Sequence, residues 1–281
     1  MKRFSNFLVS AACSLLPLSA VAQVSVPENS EIRLGSVAMD IPAEMYRRLA
    51  PLTKYLSETL KRPVSLKLSP DMSTAIDEAS NGNVDIAYLT PVAYLKAHEK
   101  GNVQLVAKML TNKKATFQLM IVVREDSPIR RIQDLKGKTF AFGDKAAILQ
   151  RAVVVGAGMP LEKLGEYKFI GHYDNIAKSV ANSEFDAGIL KDTTASDWKH
   201  KGLRVLHSSS PLPPYNIVAS SKVDAKLFKR IEQAFLALNI KNPEHKKIIQ
   251  ALDDEYDGFA PARDSDYDVV RRLIAPFEDK K

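Results

Sequence analysis

The chain has 281 residues, with 40 Lys and Arg against 33 Asp and Glu, giving a formal charge of +7. Apolar residues make up 45%, charged residues 26%, and there is one cysteine, which excludes a disordered chain, a collagen-like fibre and a disulfide-stapled miniature. Only the N-terminus carries a long apolar run, so a polytopic membrane protein is excluded too, and the length allows one large or two mid-sized domains.

The chain opens Met1-Lys2-Arg3, turns apolar from Phe7 to Leu18, and reaches Ala20-Val21-Ala22 before Gln23. A charged start, an apolar stretch and a small-x-small site read as a cleavable signal peptide over 1–22, which implies a periplasmic protein. Cys13 offers a lipid-anchored alternative. Against it, Ser10 suits a lipidation site poorly and apolar sequence continues past Cys13. Cleavage after Ala22 leaves no cysteine, as suits an oxidising compartment, and removes thiolate metal sites and Cys nucleophiles. Basic residues are dispersed apart from pairs such as Arg47-Arg48 and Lys113-Lys114. A solvated surface is expected, with no nucleic-acid partner.

Beyond the signal, short strands alternate with amphipathic stretches. Ile32–Val37 reads as a strand. Met45, Leu49, Leu52, Leu56 and Leu60 recur at helical spacing, with a kink or restart expected at Pro51. Val64–Leu68 alternates as a strand, Asp71 caps a helix through Ala79, and Asp85–Leu89 is a compact buried strand. Pro91 opens the next helix. Val103–Leu110, Phe117–Val123 and Thr139–Phe142 are strands, followed by a helix over 146–156. Tyr167–Ile170, a helix over 174–182, Asp186–Leu190, a short helix near Trp198 and Leu203–Leu206 continue the alternation. After Tyr215–Ala219 the chain reads as mainly helical, over 224–239, 243–253 and 265–275. The pattern predicts an α/β fold with mostly parallel sheets.

Asn81-Gly-Asn-Val-Asp85-Ile-Ala-Tyr-Leu89 lines up with Asn182-Ser-Glu-Phe-Asp186-Ala-Gly-Ile-Leu190. The shared helix–turn–strand grammar suggests two lobes of similar plan. With crossings at Phe117–Val123 and Tyr215–Ala219, lobe 1 spans 24–117 and 218–281, and lobe 2 spans 118–217. Two crossings make a hinge beside a cleft, where α/β folds bind small ligands.

Four segments in order carry a resemblance: Asp85-Ile-Ala-Tyr-Leu-Thr-Pro-Val-Ala-Tyr94, Asp134-Leu-Lys-Gly-Lys-Thr-Phe-Ala-Phe-Gly-Asp144, Gly171-His-Tyr-Asp174 and Ser210-Pro-Leu-Pro-Pro-Tyr215. Together they resemble the periplasmic phosphate/phosphite/phosphonate-binding proteins (PhnD-like), the solute receptors of ABC importers. The resemblance runs from about Ile32 to Leu273. It implies a two-lobed type II periplasmic-binding-protein fold with two hinge crossings.

The resemblance also implies a site. The family places a Ser/Thr cluster at a helix start after the Asp-Leu-x-Gly-Lys strand, where hydroxyls and backbone N–H groups hold an oxyanion. Here that loop is Gly143-Asp144-Lys145-Ala146-Ala147-Ile148. Ala146 and Ala147 offer backbone donors only, and Lys145 adds charge. Tyr88, Thr90 and Tyr94 match the family's cleft-facing segment of lobe 1, although the two tyrosines equally suit packing between strand and helix. Tyr173 stands where the family often has His. Asp192 stands where it can place an acid toward a ligand amine, or it caps the helix before Trp198. Met39 follows the first strand and lines the mouth.

His98, His172, His200, His207 and His245 show no metal-ligand spacing, and no hydrolase or nucleotide-binding motif is present. No catalytic residue, metal or cofactor is expected. The sequence therefore predicts a monomeric solute-binding protein of an ABC importer. It would close on a small anionic or zwitterionic solute, phosphonate-like, and engage an inner-membrane permease. The alternatives are a partner of a membrane-bound sensor, signalling ligand or redox state, and an exported enzyme on the same scaffold.

Overall fold

The fold is that of a computed structural model describing residues 30–37 and 42–278. The expected signal peptide, with Cys13, and the expected cleft residue Met39 lie outside the described residues. In chain order come β1 (Ile32–Val37), α1 (Pro42–Leu60), β2 (Val64–Ser69), α2 (Met72–Ser80), β3 (Ile86–Leu89), α3 (Pro91–Gly101) and β4 (Gln104–Thr111). A second series follows: β5 (Leu119–Arg124), β6 (Thr139–Phe142), α4 (Ile148–Gly156), β7 (Glu166–Phe169), α5 (Tyr173–Ala181), β8 (Ala187–Lys191), α6 (Asp192–Trp198) and β9 (Leu203–Ser208). The chain then forms β10 (Asn216–Ala219), α7 (Ala225–Leu236), α8 (Pro243–Leu252), β11 (Tyr256–Ala260) and α9 (Asp268–Glu278).

The strands make two mixed sheets, ordered β11-β4-β10-β3-β1-β2 and β7-β6-β8-β5-β9. This corrects the expectation of mostly parallel sheets. Pairs joined through a helix are parallel (β1 with β2 and β3, β6 with β7 and β8). The strands next to the crossings, β5 and β10, run antiparallel to both of their neighbours. A parallel pair needs a crossover helix, and these strands arrive without one.

The two sheets share a topology. β2-β1-β3-β10-β4 matches β7-β6-β8-β5-β9 position for position, and the echo seen in the sequence occupies equivalent corners. The Asp85 carboxylate accepts from the Arg33 N–H at 2.7 Å, pinning β3 to β1. The Asp186 carboxylate accepts from the Thr139 N–H at 2.9 Å, pinning β8 to β6. Each Asp satisfies a donor at the start of its neighbour strand that no ladder bond reaches.

Local signals set most helix starts. Asp71, Thr90, Asp224 and Asn242 each accept a first-turn N–H, and Pro91 and Pro243 fill first helical positions. The α1 helix continues through Pro51, where a kink or restart was expected. Met45, Leu49, Leu52, Leu56 and Leu60 all bury on one stripe, and that burial outweighs the roughly 3 kcal/mol that an interior proline costs. The strand β11 was not anticipated in a tail read as helical. Its pairing with β4 and its buried Tyr256 and Phe259 are tertiary choices.

Apolar side chains gather in three layers. One joins α1, α7 and α8 to the outer face of the first sheet. Another joins α5 and α6 to the second sheet. The central layer is continuous across both sheets and includes Leu89, Tyr94, Phe140, Val153 and, from α9, Val270 and Ile274. The last helix packs chiefly on α4, with α3 as a second contact.

Tyr94, expected at the cleft, lies in this central layer. Its ring sits 4.7 Å from that of Tyr267, and its hydroxyl donates to Asp264 at 2.5 Å. Burial works to raise the Asp264 carboxyl, but the Arg271 and Tyr94 hydrogen bonds outweigh it and hold the group below its ordinary value. Replacing Tyr94 with Phe should cost about 1–2 kcal/mol, the lower part of the range for a bond to a charged partner, because Asp264 is half exposed. Since the folded carboxyl is depressed, this contribution is present above the ordinary carboxylate range and fades as pH falls through the lowered value. Urea unfolding of both proteins at pH 7 and pH 3 checks this; an equal difference at the two pH values contradicts it.

Candidate functional site

Parallel strands that each feed a helix deliver helix N-termini to one edge of a sheet. In the first sheet the edge facing its partner carries the starts of α2, at Asp71 and Met72, and of α3, at Thr90. In the second it carries the starts of α4, after Ala147, and of α5, after His172. Between these four ends lies a cleft of about 620 Å³. Met72, Pro91 and Val92 wall one side, Ile148, Leu149 and Tyr173 the other, and Phe117, Leu119 and Tyr215 close it along the crossings. There the two crossing segments pair, the N–H of Phe117 donating to Leu212 at 2.9 Å and that of Leu212 to Phe117 at 2.8 Å.

The first N–H groups of a helix have no acceptor within the helix. Caps claim two of them, Thr74 by Asp71 at 2.8 Å and Ala93 by Thr90 at 3.1 Å. The N–H groups of Val92, Leu149 and Tyr173 have no acceptor among the described residues. Asp71 and Asp144 both line the cleft, with carboxylates turned back onto N–H groups of their own loops, Thr74 at 2.8 Å and Ala146 at 2.7 Å. The Thr74 backbone bond is the main reason that Asp71 stays below its ordinary value. No Lys or Arg lines the cleft among the described residues.

The loops of the second sheet are fastened by Gln150. Its Oε1 accepts the Gly143 N–H at 2.7 Å, and the Gly171 N–H donates to the Gly143 carbonyl at 3.2 Å. Burial pushes the Tyr173 phenol above its ordinary value, the neighbouring Gln150 amide offsets part of the rise, and Asp192 and Glu255 add to it. Tyr173 is therefore a neutral phenol at physiological pH. Tyr88, Tyr215 and Tyr256 are likewise pushed up, first by burial. Beside this group an ion pair between Lys191 and Glu255 ties β8 of the second sheet to the turn before β11 of the first.

Thr90, Ala146, Ala147 and Tyr173, all expected at the site, line the cleft together, but the Ala146 and Ala147 N–H groups expected as donors are taken by Asp144, the first by its carboxylate at 2.7 Å and the second by its carbonyl at 3.0 Å. Tyr88 stands one layer behind, buried, its hydroxyl 3.0 Å from that of Tyr256 and its ring 5.3 Å from that of Tyr215. Lys145 is exposed outside the lining, and its carbonyl accepts from Arg151. The Asp192 carboxylate accepts from the N–H groups of Thr193 at 3.0 Å and Gln118 at 3.2 Å, so it starts α6 and fastens β8 to the entry of β5. The sequence reading did not single out Gln150, Phe117 or Tyr215 as cleft residues. Gln150 left a signal, a lone amide on the buried face of α4 among Leu149, Ala152 and Val153.

The chain matches, over residues 34–267, the family model described as ABC transporter, phosphonate, periplasmic substrate-binding protein. It is 22% identical to the phosphate-import protein PhnD of Mycolicibacterium smegmatis, over 94% of this chain and 93% of that protein. It is 25% identical to the phosphonates-binding periplasmic protein of Escherichia coli, over 96% of this chain and 83% of that one. Among solved structures, PhnD1 of Prochlorococcus marinus in complex with methylphosphonate superposes with a TM-score of 0.71 at 18% identity, covering 88% of this chain and 98% of that one. XAC2383 of Xanthomonas citri, bound to ATP, gives 0.74 at 20% identity, covering 89% and 98%.

A Cβ added at Gly143 would sit 2.8 Å from Gln150 Nε2 and 3.0 Å from the Gly171 carbonyl oxygen. Neither gives way freely, because the amide is held and the carbonyl is backbone. Gly143→Ala should cost about 1–3 kcal/mol by overpacking. Denaturant unfolding measures it, and a cost near zero would show that the two loops are not locked together.

Proposed function

The chain belongs to the phosphonate-binding family of periplasmic substrate-binding proteins of ABC transporters, solute receptors rather than enzymes, and from that footing we propose that the cleft binds a small oxyanion or zwitterion with an apolar part. The observation carrying this is the meeting of four helix N-termini on one cleft with unclaimed N–H groups and apolar walls. A phosphonate or related oxyanion accepts several hydrogen bonds at once, and helix starts supply oriented donors and a positive dipole end. Apolar walls strengthen those bonds by excluding water. A cationic group on the same ligand would find Asp71 and Asp144 on opposite sides of the mouth. In the proposed site Thr90, Ala146, Ala147 and Tyr173 surround the solute, with Tyr88 supporting Tyr215 from behind. The names of similar proteins, which import phosphate or bind phosphonates, support this ligand class.

We take residues 24–117 with 218–281 as one lobe and 118–217 as the other, hinged at the paired crossings. Solute closes the lobes, and the closed form engages the ABC permease as a monomer. Residues 1–22 direct export and are removed, so N-terminal sequencing of the protein from a periplasmic extract should begin at Gln23. A lipid-modified N-terminus at Cys13 would replace this reading with an anchored one.

A thermal-shift titration with methylphosphonate, aminoalkylphosphonates, phosphate, alkylsulfonates and carboxylates tests the ligand class. A cognate solute should raise the melting temperature with concentration, contributing about 2.7 kcal/mol at one hundred times its Kd. No shift with any of them, and a shift with a purified membrane-sensor domain instead, would favour signalling over transport.

A further inference from the structure

We infer that the Gln150 side chain touches the ligand itself, holding out its NH₂ group as a fixed donor and making this wall of the cleft selective for a group that only accepts. This rests on the ligand class proposed above and deepens it. Gln150 is 6% exposed and borders the cleft. Its amide has one orientation, because Oε1 meets the Gly143 N–H at 2.7 Å and that group can only donate. The other end is therefore NH₂. Nε2 has no hydrogen-bond partner among the described residues, yet it is not sealed in as the unpartnered amide of Asn216 is. It opens onto the cleft that Gln150 lines. A donor this deeply set needs an acceptor, and a solute in the cleft supplies one.

The backbone around it explains why a side chain is needed. Asp144 takes the N–H groups of Ala146 and Ala147, and the Ile148 N–H donates to the Ala146 carbonyl at 2.8 Å. The Gln150 N–H goes to the Ala147 carbonyl at 3.2 Å. At the start of α4 this leaves the Leu149 N–H, and at the start of α5 the Tyr173 N–H. Leu149 and Tyr173 both line the cleft with Gln150. The Gly143 carbonyl accepts the Gly171 N–H at 3.2 Å, so the contact that orients the amide also joins the loops before the two helices. All three groups donate and none of them accepts. A sulfonate or a fully ionised phosphonate satisfies them, whereas a ligand hydroxyl proton or ammonium would meet donors head-on.

Calorimetric titration of the full mature protein with methylphosphonate and methanesulfonate tests this, together with the side-chain amide signals of Gln150 in nitrogen-15 NMR. Gln150→Met removes the donor and the hold on Gly143, and should weaken the better ligand by roughly tenfold, the worth of one hydrogen bond to a charged group. Gln150→Glu keeps the bond from Gly143 but turns an oxygen toward the cleft, and should cost more, on the order of a hundredfold. In the wild type, saturation with ligand should move the Gln150 NH₂ protons downfield. A residue that only holds the loop predicts the opposite: Gln150→Glu close to wild type, Gln150→Met impaired and the NH₂ signals unmoved. That outcome overturns the inference, as does unchanged affinity in both variants. If the wild type binds neither ligand, the ligand class fails, and chloride, an anion that can only accept, decides the donor separately. Replacing gluconate by chloride at constant ionic strength should then move the Gln150 NH₂ signals together with the Leu149 and Tyr173 N–H signals; an unmoved Gln150 pair rejects the donor.

Discussion

Helix starts with no internal hydrogen-bond partner, brought to one place by parallel βα units, are what the rest of this structure serves. A parallel strand pair has to return through a helix, and each return sets a helix N-terminus at the C-terminal edge of its sheet. Two sheets built this way and turned edge to edge present four such ends to one cavity. The cleft gathers the positive ends of four helix dipoles without a lysine or arginine in its lining among the described residues. The two carboxylates at its mouth, Asp71 and Asp144, are already engaged by N–H groups of their own loops. They therefore oppose an anion less than free carboxylates would.

The two halves of the chain solve the same packing problem twice. Asp85 and Asp186 pin corresponding strands, and the orders β2-β1-β3-β10-β4 and β7-β6-β8-β5-β9 coincide. The strand that completes each set arrives over a crossing: β5 enters the second sheet and β10 returns to the first. Phe117 and Leu212 bond the two crossings to each other. The halves are not independent, however. The Lys191–Glu255 pair joins them near the cleft, and α9 packs on α4 while following strands of the first sheet. The closure proposed above would have to carry α9 along with α4 or break their contact.

Much of this was legible in the residues. The leucine ladder of α1, the caps at Asp71 and Thr90, and the alternating strands rest on local chemistry, which a sequence displays directly. Thr90, Ala146, Ala147 and Tyr173 were legible as cleft residues because they sit at strand-to-helix turns, and the fold sends those turns to the ligand edge. Tyr88 and Tyr94 sit at such a turn too, yet both rings face inward, one to Tyr215 and Tyr256, the other to Tyr267. Which way a ring faces depends on distant partners that local sequence does not name. The side chain that organises the second sheet's loops, Gln150, showed only as a polar interruption of an apolar helix face.

By itself the sequence determined the α/β class, the two-part plan and the places where helices begin, since these follow from periodicity and capping within a few residues. Tertiary structure alone decided the mixed strand order, the recruitment of Tyr256–Ala260 as an edge strand, the packing of α9 on α4, and the neighbours of each cleft side chain. Those outcomes depend on contacts between residues far apart in the chain, where burial and hydrogen-bond pairing are settled only once both partners are in place.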